Sequence, residues 1–368
     1  MRLAIVYDRV NKFGGAERVL LALHELWPNA PLFTAVYSSA KAQWSNIFKI
    51  NPSFLNSFSF FQNRHEILPF LTPFAFESFD FNDYDVVLSI TSAEAKFIIT
   101  KPETLHICYC LTPTRYYWSG YDDYLNQPGV GILNPIARLF MKSFVTQLRN
   151  QDFIAAQRPD VYIAISSTVA NRISRYYKRK AFVIYPPVDI DIFNLNPLST
   201  TLDYYLIVAR LVPYKKIEYA ISAFNKLGWK LKVIGNGLEE TRLRNLAKSN
   251  IELISGDLTD KELGCYYQNC KALIFPGEED FGLTAVEVQS CGRPVIAFRA
   301  GGACESVVSG VTGEFYDEPT VDALTDILKS FNCHQYLPIN CRKNSKRFSK
   351  EIFKTKFKTF IENYISLK

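Results

Sequence analysis

Short apolar runs alternate with helical patterns along the whole of this 368-residue chain, and that alternation limits its fold more than any other feature. Strand-like runs fall at Leu3–Tyr7, Leu32–Val36, Asp85–Ile90, His106–Cys110, Val161–Ile165 and Phe182–Tyr185. They resume at Tyr205–Ala209, Leu231–Ile234, Ile251–Ile254, Leu273–Phe275 and Val295–Phe298. Apolar strands separated by helices mark parallel α/β sheets. The helices read clearly between them. Gly15 precedes a helix over Ala16–Leu26, and Ile217, Ala220, Ile221, Phe224 and Leu227 share one helical face. Thr259 with Glu262 forms a capping box, and Gly292 followed by Pro294 stops the helix that carries Glu287.

The chain is long enough for two domains, and its 48% apolar and 21% charged residues exclude a disordered protein. A joint is visible at Tyr185-Pro-Pro-Val-Asp189, with Asp191–Thr201 reading as a linker. The expected layout is one Rossmann-like domain over 1–188 and a second over 189–345. An amphipathic helix over 346–368 then packs back on the first domain, its stripe being Phe353, Phe357, Phe360, Ile361, Tyr364 and Ile365. Two doubly wound domains facing across a cleft bind ligands at the carboxyl ends of their strands.

Charge is unevenly spread. Leu133–Lys180 holds nine Lys/Arg against two Asp, and Arg342–Lys368 holds nine against two Glu. Each segment is net +7 in a chain of net +6, so the rest carries −8. Such segments suit an anionic surface. On Leu133–Leu148 the residues Leu133, Ile136, Ala137, Phe140, Met141, Phe144, Val145 and Leu148 form one stripe, with Arg138, Lys142 and Arg149 nearby. That stripe fits a core-packing helix with a solvated basic edge, or a helix lying on a membrane, and the Phe-rich segment Phe54–Phe81 carries the same two readings. Tyr177-Lys-Arg-Lys180 is too short to indicate nucleic-acid binding. Eight Cys without a C-x-x-C pair, and four His, argue against a zinc site. No leader pattern opens the chain and no apolar stretch nears the roughly 20 residues of a membrane span, so the expectation is a reduced, cytoplasmic protein.

Several turns carry chemistry. Gly14-Gly15-Ala-Glu17 sits where a strand enters a helix, a place where backbone can approach a phosphate or merely turn. Arg210-Leu-Val-Pro-Tyr-Lys215 leaves a strand with two cations able to neutralise a diphosphate. Gly235 and Gly237, with Glu239, form a second Gly-rich strand exit. In Gly256-Asp-Leu-Thr-Asp260, Leu258 could pack on a base and offer its backbone, while Asp260 supports the helix start. Finally, Glu279-Asp-Phe-Gly-Leu-Thr-Ala-Val-Glu287 sets two carboxylates eight residues apart around a helix start. A wholly helical stretch would separate them by about 12 Å, against about 5–5.5 Å in retaining glycosidases. The spacing favours two grips on ligand hydroxyls over an acid/base pair.

The order G-G-A-E-R, R-L-V-P-Y-K, G-N-G-x-E, F-P-G-E-E-D-F-G-L and A-G-G-A-C-E resembles glycosyltransferase family 4 over nearly the whole chain. Tyr109–Trp118 resembles a branch of mannosyltransferases that build surface polysaccharides. The resemblance implies a GT-B fold and a retaining, metal-independent hexosyltransferase without a cofactor. Its donor would be GDP-mannose or a UDP-hexose, and its acceptor a glycan or lipid-linked glycan. It assigns the donor diphosphate to Arg210 and Lys215, and the transferred sugar to Glu279 with backbone at Phe281, Gly282 and Leu283. The ribose falls to Glu287, and Gly15 sits against the diphosphate. Leu111, Thr112 and Arg115 fall on the acceptor side. Two departures stand out. Leu111 replaces a His near the transferred sugar, which keeps open a non-catalytic sugar-nucleotide or glycan-binding protein. Lys216 replaces a common Gly, a change expected to have no consequence.

Overall fold

The computed structural model describes residues 1–58, 70–126, 128, 131, 134–196, 201–256 and 258–367. They divide into two compact units, Met1–Tyr185 with the segment from Lys354 on, and Pro186–Phe353. The chain therefore changes unit at Tyr185/Pro186, three residues before the sequence-based limit, and again inside the last helix, Lys350–Leu367.

The first unit is built on β1 (Leu3–Tyr7), β2 (Leu32–Thr34), β3 (Ile50–Pro52), β4 (Val86–Thr91), β5 (Leu105–Cys110), β6 (Val161–Ala164) and β7 (Phe182–Val183). Their spatial order is β3-β2-β1-β4-β5-β6-β7, every pair parallel. The second unit uses β8 (Tyr205–Val208), β9 (Leu231–Ile234), β10 (Ile251–Ile254), β11 (Leu273–Phe275), β12 (Val295–Phe298) and β13 (Gly313–Tyr316) in the order β10-β9-β8-β11-β12-β13, also all parallel. Each sheet reverses its strand order once, at β1/β4 and at β8/β11. Open parallel sheets bind ligands at that switch, outside the carboxyl ends of the strands.

Helices cover the sheets as the apolar stripes require. Ile217, Ala220, Ile221 and Phe224 are buried on the helix Ile217–Leu227 and join Ile207, Val233 and Ile274 in one core cluster. A second cluster on Phe275, Ala285, Val288 and Val295 lies beneath the helix Leu283–Ser290. The putting of Thr259 and Glu262 at the start of Asp260–Asn269 closes the capping box in both directions. Of the stretch read as a linker, Phe193 is fully buried against Tyr267, with ring centroids 5.4 Å apart, and so belongs to the second core, while Asp191, Ile192, Asn194 and Asn196 are exposed; residues 197–200 lie outside the described ones.

The final helix shows why its stripe is aromatic. Phe357 is fully buried, edge-on to Trp27 and to Tyr109 of β5, while Phe360 and Tyr364 pack on Phe182 of β7. Lys354 adds a 2.8 Å ion pair with Glu25. The long basic helix differs from the core-packing expectation. It runs Asn134–Ala155 and buries Val145, Leu148, Asp152 and Ala155, whereas Ile136, Leu139 and Phe144 are exposed. Leu133 lies outside the described residues. So does 59–69 of the Phe-rich segment, whose described part buries Phe76 and Phe81 and exposes Phe54, Phe58 and Phe74. Arg149 is not a solvated edge residue: its Nε donates to the Tyr117 carbonyl at 2.6 Å and its guanidinium lies over Trp118 and Tyr121.

Truncating a buried aromatic leaves a cavity that the surroundings fill only in part. Phe357→Ala is expected to lower the stability of the first unit by about 3–5 kcal/mol, read as an earlier urea midpoint. An unchanged midpoint would show that the helix is not part of that unit's core.

Candidate functional site

In the second unit the expected donor residues collect at the carboxyl ends of β8 to β11, around the switch. Arg210 follows β8 and is exposed, its Nη2 donating to the Tyr214 hydroxyl at 3.0 Å. Pro213–Lys215 is a single 3₁₀ turn that brings Lys215 back beneath the strand ends, where it is buried and ion-paired with Glu279 from the β11 exit. The sequence assigns these two charges to different parts of a ligand; the structure shows them bonded to each other. Lys215 is mostly buried and Glu279 partly so, and each holds the other's rotamer, which preorganises both.

Glycines make this closeness possible. A Cβ on Gly277 would stand 2.8 Å from the Lys215 and Tyr214 carbonyls, so only glycine lets the β11 exit lie against the 3₁₀ turn. At the β9 exit, a Cβ on Gly235 would meet the Ala209 carbonyl at 1.9 Å, and one on Gly237 the Leu211 carbonyl at 2.2 Å. The two loops are laced together there, Leu211 N–H to the Asn236 carbonyl and Glu239 N–H to the Leu211 carbonyl. Glu239 itself is buried and turned onto Arg242.

Gly282 is the N-cap of Leu283–Ser290 with φ 87°, and no side chain caps that helix. Its first turn carries no acidic residue. The positive end of the helix dipole thus sits beside the Lys215–Glu279 pair in sequence, without a built-in anion. Phe281 is buried edge-on to Phe348, and Leu283 is half-buried. Glu287 lies within the helix, is 5% exposed and accepts from the Tyr267 hydroxyl at 2.8 Å. The helix begins only at Leu283, so the two carboxylates stand on different elements, one in a loop and one on a helix. Leu258 packs on the core cluster under the same helix, and Asp260 is the first residue of the helix Asp260–Asn269.

Lys216 corrects an expectation. It adopts φ 54°, the left-handed region, and caps the helix Ile217–Leu227. A Cβ in that region crowds the backbone, at a cost of roughly 1–2 kcal/mol. The Gly-to-Lys change therefore does have a consequence. Lys216→Gly is expected to raise the stability of the second unit by about 1 kcal/mol, seen as a higher melting temperature. A fall in melting temperature would mean that the lysine side chain more than offsets the backbone strain.

In the first unit, Gly15 opens the helix Gly15–Leu26 behind the N-cap Gly14, whose backbone is extended. Leu111, Thr112 and Arg115 follow β5: Leu111 is half-buried and its N–H donates to the Thr91 carbonyl, Thr112 is buried, and Arg115 is half-buried in a turn. These residues belong to a different unit from the donor group. Sequence reading missed their polar neighbours. Asp8, directly after β1, accepts from Thr91 Oγ1 at 2.7 Å and from the N–H groups of Ser92 and Ala95 at 2.7 and 2.8 Å. Glu17 accepts from the Tyr7 hydroxyl at 2.6 Å, and burial raises its pKa. Lys96 and Asp152 form a 2.7 Å ion pair with 1% and 0% side-chain exposure. Burial opposes the ammonium's charge, but Asp152 outweighs it and raises the Lys96 pKa. Asp152 also accepts from Thr114 Oγ1 and Trp118 Nε1, which fastens the loop after β5. A carboxylate one to three residues past an apolar strand was the available signal for Asp8 and Glu94.

Among the described residues no cluster of three or more His, Cys, Asp or Glu is placed to hold a metal, no helix is long and apolar enough to cross a membrane, and all eight cysteines are free. Against known proteins, residues 190–348 match the family profile "Glycosyl transferases group 1". The chain is similar to an uncharacterized glycosyltransferase of Methanocaldococcus jannaschii, 30% identical over 203 residues, which is 54% of this chain and 56% of that one. It is also similar to the alpha-1,3/1,6-mannosyltransferase ALG2 of Dictyostelium discoideum, 40% identical over 99 residues, 26% of this chain and 22% of that one. The chain spans about half the length of the first curated relatives it matches. Among solved structures, Anabaena HepE in complex with UDP superposes with a TM-score of 0.71 at 16% identity, over 99% of this chain and 100% of that one. The two parallel-sheet units are a GT-B fold. The chain carries a glycosyl transferases group 1 domain in its second unit.

Proposed function

We propose that this protein is a retaining, metal-independent glycosyltransferase of family 4 that moves a hexose from a nucleoside diphosphate sugar to a glycan or lipid-linked acceptor. The observation that carries the reading is the Lys215–Glu279 ion pair between the β8 and β11 exits, which Gly277 lets lie against each other, with Arg210 exposed at the end of β8 on the same loop as Lys215. Arg210 offers a fork of donors and Lys215 a point charge, a set that suits a diphosphate. The uncapped start of Leu283–Ser290 adds backbone N–H groups. As the glycosidic bond lengthens, charge grows on the leaving diphosphate, and preorganised cations stabilise it more than the ground state. Glu279 accepts from hydroxyls of the transferred sugar while keeping Lys215 in place. Mannose from GDP-mannose is the favoured donor, on the strength of the mannosyltransferase likeness over 99 residues.

Arg210→Ala and Glu279→Ala are each expected to cut transfer by at least about a hundredfold while the circular dichroism spectrum stays unchanged. The assay is release of the nucleoside diphosphate from GDP-mannose, UDP-glucose and UDP-N-acetylglucosamine over an acceptor panel. Unchanged turnover in both variants would sink the reading. Calorimetry with GDP and UDP separates the two donor classes. Binding of donor without turnover on any acceptor would favour a sugar-nucleotide-binding protein, the reading that Leu111 keeps alive.

The acceptor side also suits an anionic membrane. Ile136, Leu139 and Phe144 are exposed on the same helix as Arg138 and Lys142. Apolar residues that insert at the headgroups and basic residues that meet anionic lipid make such a surface. Ile136→Glu with Leu139→Glu should abolish co-sedimentation with vesicles containing phosphatidylglycerol and leave the melting temperature unchanged. Equal binding by the double variant would remove the membrane role of this helix.

A further inference from the structure

One buried carboxylate in the first unit has too few partners for a structural role. Glu94 lies in the turn after β4, beside the β1/β4 switch, and is 8% exposed. It accepts from the Tyr116 hydroxyl on Oε1, and among the described residues no donor meets Oε2. Its neighbour Asp8 shows what a structural carboxylate looks like here, with bonds from Thr91, Ser92 and Ala95. Those bonds fasten the turn that presents Glu94. Two residues past the end of β5, Thr112 is 5% exposed and its Oγ1 has no hydrogen-bond partner. Register places the two on adjoining strand ends, since Thr91 pairs with Cys110. A buried polar atom left unpaired costs about 1–3 kcal/mol, so Thr112 Oγ1 calls for an explanation, and the unbonded Oε2 of Glu94 on the adjoining strand end offers an acceptor beside it.

We infer that Glu94 and Thr112 form an acceptor-binding subsite for a sugar hydroxyl at the switch of the first sheet. This rests on the glycosyltransferase reading for the name of its ligand, but not for its chemistry. A sugar hydroxyl both donates and accepts, so vicinal hydroxyls of one ring can donate to Glu94 Oε2 and accept from Thr112 Oγ1. Leu111, between Thr112 and β5, supplies no polar atom, and the hydrogen bonds fall to its neighbours. Asp8 and Arg9 face Glu94 from the end of β1, Lys96 from its own turn, and Tyr116 and Tyr117 from the loop after β5. Lys96 is committed to Asp152, so its charge is largely matched. Burial, then Asp8, push the Glu94 carboxyl up to about 7, while Tyr116, Lys96 and Arg9 draw it down. The ionised form is the stronger acceptor, so hydroxyl binding strengthens as pH rises through about 7.

The test compares the full chain with Glu94→Gln and Thr112→Val. Saturation-transfer NMR follows binding of methyl α-mannoside and methyl α-glucoside between pH 5.5 and 8.5, calorimetry follows GDP and UDP, and steady-state kinetics follow the acceptor. The expected result is sugar binding by the wild type that rises with a midpoint near 7. Glu94→Gln should weaken it about tenfold or more at pH 8 and lose the midpoint. Nucleotide affinity should stay within about twofold, because the donor residues sit in the other unit. Tyr116→Phe removes a bond that favours the ionised form and should move the midpoint upward. In turnover, the Glu94 change should appear in the acceptor KM. Equal sugar binding and an unchanged pH profile in both Glu94→Gln and Thr112→Val would overturn the subsite, whatever the nucleotide data show. Loss of sugar binding in a protein that binds no nucleotide would uphold the subsite and remove the glycosyltransferase reading instead.

Discussion

A parallel strand cannot pass its chain to a neighbour through a tight turn; it must return by a crossover. Everything functional in this molecule follows from that restriction. Each sheet carries its strand-to-helix turns on one edge, and strand order reverses once per sheet. At the reversal two loops leave in opposite directions, and the gap between them is where a ligand can reach backbone and helix starts. Arg210, Lys215 and Glu279 flank that gap in one unit; Asp8, Glu94 and Thr112 flank it in the other. The same geometry is thus used twice with different charge. The second unit combines cations with an open helix start, a set that attracts anions. The first combines carboxylates, tyrosines and hydroxyls and suits a neutral polyol.

Much of the fold is legible in the sequence because burial on both faces leaves a continuous apolar signal. Leu3–Tyr7, Leu231–Ile234, Leu273–Phe275 and Val295–Phe298 coincide with observed strands to the residue, and so does the edge strand Ile251–Ile254, where only Ile251 is buried but Leu253 and Ile254 keep the apolar signal. The strands that escaped notice are β3 and β13. Ile50–Pro52 is a three-residue edge strand, with no residue fully buried and a proline that cannot donate to a neighbour. Gly313–Tyr316 is another edge, broken by Gly313 and by the charged Glu314. Edge strands need only one partner, so their sequences carry less of the pattern. The linker reading failed at Phe193 for a related reason: one buried ring in a polar stretch leaves no periodicity to detect.

At the sites, what could be read was local. Turn glycines, the Arg210 to Lys215 spacing and the helix start at Gly282 lie within short windows. What could not be read depends on residues far apart in the chain. Lys96 and Asp152 meet across 56 positions, and Tyr116 finds Glu94 across 22. Nor does sequence reveal that Lys215 and Glu279 neutralise each other, because each carries an independent reason to be there. Lys216 shows the converse case, in which a surface residue of ordinary type hides an uncommon backbone angle.

The turn after β12 meets the backbone of Glu279 and so helps to set where its carboxylate stands. A Cβ on Gly301 would meet the Glu279 carbonyl at 2.2 Å, and one on Gly302 the Phe281 Cα at 2.2 Å. The Gly302 N–H also donates to that Glu279 carbonyl. These two turns are therefore cast against each other like mould and casting. Any drift in the second would have to be copied in the first, which leaves the stretch from Glu279 to Phe281 little freedom to change its path even if its side chains were all replaced. Redesign for another sugar would then have to proceed by exchanging side chains on a fixed trace, with loop lengths on this edge left alone.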